Sequence, residues 1–477
     1  GDGADWYPSL IAVQGDRFAF GLRAQIVRHD PGWEVLGSFK RLLADANPET
    51  VWKVGEVELP AIDWLTRFIA ALRTNLLRRS NLIVGRRERI EVMLGIPANA
   101  NSNQRFLTLE AFGRAGFDVI GMLNEPSAAG IEFAHRYRGL DLTRRREHVV
   151  VYDLGGGTVD VSVVSMAGQQ HEVVASEGMA RLGGDDFDEL LLELALAESS
   201  LVSSSLAVPR SRLLGICREA KESINPNSRK IVVDFGQLDS RLGEVMIPVV
   251  QFYDRCAPLI VRTISATEAA MRNALGTSEG DVPGLAAVYL VGGTCELPIL
   301  GRALRDRFGK RVRRSPYPSG ATAIGLAIAA DQESGYTLQD RFSRHFGVWR
   351  EAESGQRITF DPIFGKDTPL PQPDQPPLVE RRRYRPTHNV GRFRFLECSS
   401  LRDGDEPAGD ILSWNETVFP FDPNLVGRPR LESVPVERTS AVECYEIEEM
   451  YECDASGVIQ VTVTNLTTGY TRAYRVR

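Results

Sequence analysis

Residues Val149–Val164 read VVVYDLGGGTVDVSVV, two strand-forming runs joined by three consecutive glycines. Val149, Val150, Val151 and Tyr152 are an apolar, mostly β-branched run of the kind that fills a buried strand. Asp153 follows, then Gly155, Gly156 and Gly157, then Thr158, Asp160 and a second strand-like run. Three glycines remove every Cβ from the turn, so successive backbone N–H groups can converge on an anion without steric cost. A carboxylate at the strand end and a hydroxyl just past the turn suit a magnesium–phosphate group. The glycines alone read equally well as an ordinary hairpin turn. Their flanking Asp, Thr and Asp, set on two strong strands, favour a nucleotide.

The rest of the chain sets bounds on that reading. A length of 477 residues accommodates roughly two to four domains with ample core. Hydrophobic residues make up 43% and charged residues 25%, ordinary values for a globular protein. A net charge of −7 argues against nucleic acid as a partner, because phosphate-backbone binders carry a basic face. Basic runs at Arg86-Arg87, Arg144 to Arg146, Lys310 to Arg314 and Arg381 to Arg383 read as solvated loops or helix ends. Cysteines 217, 256, 295, 398, 444 and 453 form no CxxC pair, so a metal or disulfide framework is not expected, and a reducing cytoplasm is. No apolar run approaches the roughly 18 residues of a bilayer span, so no membrane association is expected.

Residues 1 to about 332 alternate strand and helix patterns. Glu91–Ile96 reads as a strand and Asn103 to Ala115 as a helix, and Gly184 to Ala197 reads as a second helix with Phe187, Leu190, Leu191 and Leu194 on one face. Ala286–Val291 is a buried strand that runs into Gly292-Gly293, and Pro298 to Phe308 is a helix. This alternation predicts α/β layers. The two strand-to-glycine turns, at Asp153 and at Gly292, suggest two related halves facing one ligand. From about residue 346 the texture changes: prolines cluster between Pro369 and Pro377, and Arg392–Leu396 and Val458–Thr464 alternate with period two. A turn at Thr467–Gly469 and a strand pattern over Tyr470–Val476 complete an antiparallel β domain.

Several motifs in series resemble the seventy-kilodalton heat-shock chaperones of the DnaK type. They are GIPANANSNQRFLTLEAFGRAGFDVIGMLNEPSAAGIEFA (Gly95–Ala134), the glycine turn itself, RLGGDDFD (Arg181–Asp188), VYLVGGTCELPIL (Val288–Leu300) and DASGVIQVTVTNLTTGY (Asp454–Tyr470). The resemblance implies an actin-like α/β nucleotide-binding domain of two lobes over 1–332, a linker over 333–345, and a β-sandwich peptide-binding domain over 346–477. It implies ATP hydrolysis to ADP and phosphate with Mg2+. Unfolded or extended polypeptide segments, J-domain proteins and nucleotide-exchange co-chaperones are the implied partners.

Carried over residue by residue, Asp153, Gly155, Gly156, Gly157 and Thr158 match the family's second phosphate loop, with Asp153 reaching Mg2+ through water. Glu125 matches the carboxylate that orients the attacking water, and Lys40 the lysine that reaches the γ-phosphate. Pro97 and Arg105 match residues that relay nucleotide state towards the β domain. Gly292 and Gly293 match glycines close to the adenosine and phosphates, and Lys221 a lysine on the helix that packs on adenine and ribose. Phosphoryl transfer depends on positioning and positive charge near the transferred group, which fits this set.

The sequence also departs from the family. WYPSLIAV (Trp6–Val13) matches the segment after the family's first phosphate hairpin, so that hairpin is expected to be missing from this chain, as is the helical lid. Arg218 stands where the family has glutamate, Glu222 and Glu296 where it has arginine, Asn225 for serine and Ser319 for aspartate. Glutamate cannot stack on a base as arginine does, and the loss is worth about 1–3 kcal/mol of nucleotide affinity. Where the family has a run of leucines or valines, Glu333 to Phe346, the linker and the first residue after it, reads ESGYTLQDRFSRHF, polar apart from Tyr336, Leu338, Phe342 and Phe346. These departures keep open a non-catalytic scaffold with a vestigial nucleotide site. A sugar kinase or filament protein is disfavoured by the β domain and RLGGDDFD.

Overall fold

The computed structural model describes residues 6–85, 88–137, 147–167, 170–179, 181–198, 208–279, 282, 284–353 and 356–475. The chain divides into two compact units, Gly1–Asn99 with Leu107–Leu338, and Ala100–Phe106 with Gln339–Arg477. Among the described residues no helix is long and apolar enough to cross a membrane.

At the heart of the first unit is a six-stranded sheet. Its order is Val312–Arg314, Leu285–Val291, His148–Leu154, Val159–Ala167, Gln170–Met179, Thr337–Gln339. Leu285–Val291 runs parallel to His148–Leu154, and Val159–Ala167 runs antiparallel to it. Every residue of Leu285–Val291 is buried. Strands covered on both faces read as unbroken apolar runs, and this one does. The pleat then divides the side chains. Val150, Tyr152 and Leu154 enter a core built with Phe187, Leu191, Ile216, Phe252 and Leu300. Val149 and Val151 enter a second core with Ile131, Phe133 and Tyr289 on the opposite face.

The helix expected at Gly184 to Ala197 spans Gly184–Glu198, and Phe187, Leu191 and Leu194 are buried as its spacing requires. Two helices on the other face, Glu125–Arg136 and Ala321–Ala330, cross so closely that a Cβ at Gly325 would overlap the Ala128 carbonyl. Only glycine permits that approach. Around this centre lie a three-stranded sheet (Arg17–Phe20, Leu10–Gln14, Glu34–Gly37) and a parallel pair (Glu91–Ile96, Asp118–Asn124).

The glycine turns after Asp153 and Val291 do not come from two halves of the unit. They leave the ends of neighbouring parallel strands in one sheet, where Asp153 is in register with Val291.

The second unit is a β-sandwich of two four-stranded antiparallel sheets. One has the order Arg357–Phe364, His345–Ala352, Phe395–Arg402, Glu406–Ser413; the other Leu378–Tyr384, Ile447–Cys453, Ile459–Asn465, Thr471–Arg475. Phe346, Val348, Phe395, Phe419, Ile447 and Val461 meet in its core. The period-two run at Arg392–Leu396 is not one strand. Val390–Phe393 pairs with Thr417–Pro420, and from Phe395 the chain joins a different sheet. Phe393 and Phe395 keep the alternation and stack in the core with centroids 6.0 Å apart.

In the stretch expected to be a linker, Tyr336 and Leu338 are buried in the first unit's core, and Phe342 and Phe346 in the second's. Ala100–Phe106 packs within the second unit. Asn101 and Gln104 cap each other's backbone N–H groups at 2.9 and 3.0 Å, a reciprocal capping box opening the helix Ser102–Arg114.

Of the basic runs, Arg86-Arg87 and Arg144 to Arg146 lie outside the described residues. Arg381 and Arg383 pair with Glu448, and Arg382 pairs with Asp361. Every cysteine is a free thiol, and all but Cys444 are buried.

Candidate functional site

Asp153 is the last residue but one of the strand His148–Leu154, Asp160 lies in the next, and the antiparallel register sets them opposite each other across the glycine turn. Gly155 N–H donates to the Thr158 carbonyl at 3.1 Å, closing the turn. The turn's own carbonyls are held from below: Gly184 N–H donates to Gly155 O at 2.9 Å and Asp185 N–H to Gly156 O at 2.7 Å. Thr294 Oγ1 donates to the same Gly155 carbonyl at 2.8 Å. Gly292 adopts φ +86°, and a Cβ there would sit 2.6 Å from Asp153 Oδ1. Glycine is therefore required beside the carboxylate. Gly293 faces Ser319, whose Oγ would lie 3.2 Å from an added Cβ.

Lys40 is carried on a one-turn helix, Phe39–Leu42, and its Nζ donates to both oxygens of Glu125, at 2.6 and 2.5 Å. Glu125 opens the helix Glu125–Arg136, where the helix dipole favours a carboxylate. Burial alone would depress the Lys40 ammonium, but Glu125, with Asp160 and Asp153 beyond it, more than offsets this and the net shift is upward. Asp153 and Asp160 are both pushed up, first by burial and then by the Glu125 charge, with Lys40 opposing. Asp160 reaches about 6. Thr158's hydroxyl and the Asn99 backbone bond the Asp160 carboxylate, so the turn just beyond buried Pro97 reaches this cluster. Three carboxylates thus share one ammonium.

Lys40, Glu125, Asp153, Thr158 and the three glycines converge. Gly292 and Gly293 border them. Lys221 is nearby but engaged elsewhere, pairing with Asp188 Oδ1 at 2.7 Å and donating to Gly184 O at 2.7 Å. Arg105 lies outside this cluster, in the second unit, where its Nη1 donates to the Ser456 carbonyl at 3.0 Å and its guanidinium lies against Gly457. Sequence reasoning missed Thr294, Arg41, Asp185 and Asp186. Arg41 packs on Gly157 and forks both oxygens of Asp186 at 3.0 and 2.9 Å. The signal was present, since Arg41 follows Lys40 directly and both aspartates lie in RLGGDDFD.

Residues 75–342, more than half of the chain, match the family described as Hsp70 protein. The chain belongs to the Hsp70 family. Its fold is the actin-like α/β region of Hsp70 followed by the antiparallel β region. Among similar proteins, a chaperone protein HscA homolog of Aliivibrio fischeri (strain MJ11) is 27% identical over 484 residues, covering 97% of this chain and 71% of its own length. An HscA homolog of Bordetella petrii is 29% identical over 431 residues, covering 89% and 62%. One from Polynucleobacter necessarius subsp. necessarius is 28% identical over 389 residues, covering 80% and 56%. The chain is thus an Hsp70-family chaperone relative that spans part of the length of these proteins. Hsp70 proteins are ATPases that bind ATP or ADP with Mg2+ and act on polypeptides.

Proposed function

We propose that this chain binds MgATP at the glycine turn and hydrolyses it to ADP and phosphate, and that this cycle regulates how the β-sandwich holds extended polypeptide segments. The supporting observation is the cluster of Lys40, Glu125, Asp153 and Asp160 around a turn stripped of Cβ atoms. In this reading Gly155, Gly156, Gly157 and Thr158 cradle the phosphates, and Lys40 turns from Glu125 towards the γ-phosphate. Glu125, released from the ammonium, orients a water for attack on phosphorus. The bond to the β,γ-bridging oxygen breaks, ADP leaves with that electron pair, and the water's proton passes towards Glu125. Lys221, Gly292 and Gly293 line the nucleoside side, and Pro97 and Arg105 carry nucleotide state to the peptide-binding unit.

The surplus of buried carboxylate suits a divalent cation. As in the family this chain resembles, Asp153 would hold Mg2+ through water. When bound, the ion supplies neutralising charge to the phosphate oxygens. Extended clients would add backbone hydrogen bonds to the β unit, and J-domain and nucleotide-exchange proteins, in a cytoplasmic setting, are the proposed co-chaperones.

A non-catalytic scaffold is the second reading, favoured by the engagement of Arg218 and Lys221 with Asp185 and Asp188. Phosphate release from MgATP separates the two. Turnover by the wild type that is lost in Lys40→Ala and Glu125→Gln supports the ATPase; no turnover, with ADP still raising the melting temperature, supports the scaffold.

A further inference from the structure

The turn that carries Lys40 is pinned at both ends. Ser38, just before it, has φ 53° and ψ 27°, a left-handed conformation that a non-glycine residue keeps only when its surroundings hold it. Ser38's hydroxyl bonds the Asp185 carboxylate. Arg218 Nη2 reaches Ser38 Oγ at 3.4 Å and also pairs with Asp185 Oδ1, while its Nε donates to Asp188 Oδ2 at 3.1 Å. At the far end Arg41 forks Asp186. Asp185 and Asp186 sit in the first turn of the helix Gly184–Glu198, whose first N–H groups grip the carbonyls of the glycine turn. Ser38, Arg41, Asp185 and Arg218 are among the residues that line a cavity of about 290 Å3.

Arg218 lies three residues before Lys221, on the helix Arg210–Glu222. One guanidinium therefore links the helix on the nucleoside side to the turn that presents the phosphate-side lysine. Its fork has the geometry for this, because a planar donor can serve two carboxylates and a hydroxyl at once.

We infer that Arg218 is a positioning residue: through Ser38 and Asp185 it fixes the turn that carries Lys40, so that occupancy against the helix Arg210–Glu222 is transmitted to the group facing the terminal phosphate. The inference rests on the ATPase reading above. ADP shares the nucleoside and lacks the γ-phosphate, so it separates positioning from direct contact.

The test compares wild type, Arg218→Ala, Arg218→Lys, Ser38→Ala and the Arg218→Ala/Ser38→Ala double variant in the full chain. Steady-state MgATP hydrolysis and ADP affinity are both measured. The expected result is a kcat lowered about ten- to a hundredfold in Arg218→Ala, as misplacement of a reacting group produces, with ADP affinity within about threefold of wild type. Ser38→Ala moves kcat the same way, the double variant falls no further than the worse single, and Arg218→Lys recovers part of the loss. Equal weakening of ATP and ADP with kcat unchanged overturns the inference and makes Arg218 a nucleoside contact, leaving the ATPase intact. A wild type that releases no phosphate overturns the ATPase reading and this inference with it. If Arg218→Ala does not fold, Ser38→Ala decides: lowered kcat supports positioning, unchanged kcat removes it.

Discussion

The two units bury charge in opposite ways. In the sandwich, Arg350 donates to both oxygens of fully buried Glu449, at 3.1 and 2.8 Å, and to Asp361 at 2.6 Å, and Tyr451 adds its hydroxyl to the same carboxylate. Arg382 balances the second carboxylate. Each charge there meets its opposite in place. In the first unit, among the described residues, Asp153, Asp160 and Glu125 gather around the Lys40 ammonium, and two of the carboxylates are driven towards their neutral forms. Compensated buried charge is structure. A surplus of buried carboxylate is what the proposed cation and phosphates would relieve.

The largest effect should come from breaking the compensated network. Glu449→Ala removes the carboxylate that Tyr451 and one side of the Arg350 guanidinium share, leaving Arg350 only the Asp361 carboxylate, and should cost about 3 kcal/mol, read as an early sandwich transition in urea. An unchanged transition would end the structural reading of that network. Next, Lys40→Ala should lower phosphate release by about 10²–10³-fold while the sandwich transition stays where it is. Loss of both together would mean that the two clusters are not independent.

The pH dependence has a definite sign. The folded value for Asp160, about 6, lies above the unfolded value near 3.9, so its stabilising contribution is complete below pH ~4 and is lost as pH rises through about 6. Without ligand, Asp160→Asn should match wild type near pH 4 and exceed it at pH 8 by on the order of 2 kcal/mol. A variant less stable than wild type at pH 8 would show that the surplus is neutralised within the protein. The smallest change is expected from Arg383→Ala, whose half-exposed pairing with Glu448 is worth less than about 1 kcal/mol in thermal unfolding.

Much of the first unit was legible in the sequence because its signals are local. The helix Pro298–Phe308 and the strand Glu91–Ile96 occupy the expected residues, since periodicity records which face each side chain will bury. The split of Arg392–Leu396 between two sheets was not legible. Alternation specifies a face and leaves the partner strand open. Likewise the two glycine turns looked like two halves, because spacing along a chain carries no information about strand order.

By itself the sequence determined the family, the α/β and β halves, and the glycine turn at Asp153–Thr158, because a turn without Cβ atoms is written in three consecutive residues. Tertiary structure alone decided that Lys40 meets Glu125 across 85 positions, that Asp160 joins them, and that Arg218 is engaged by Asp185, Asp188 and Ser38. Those contacts follow from where distant helices and strands end, and a charge's role depends on which opposite charge the fold brings within hydrogen-bond reach.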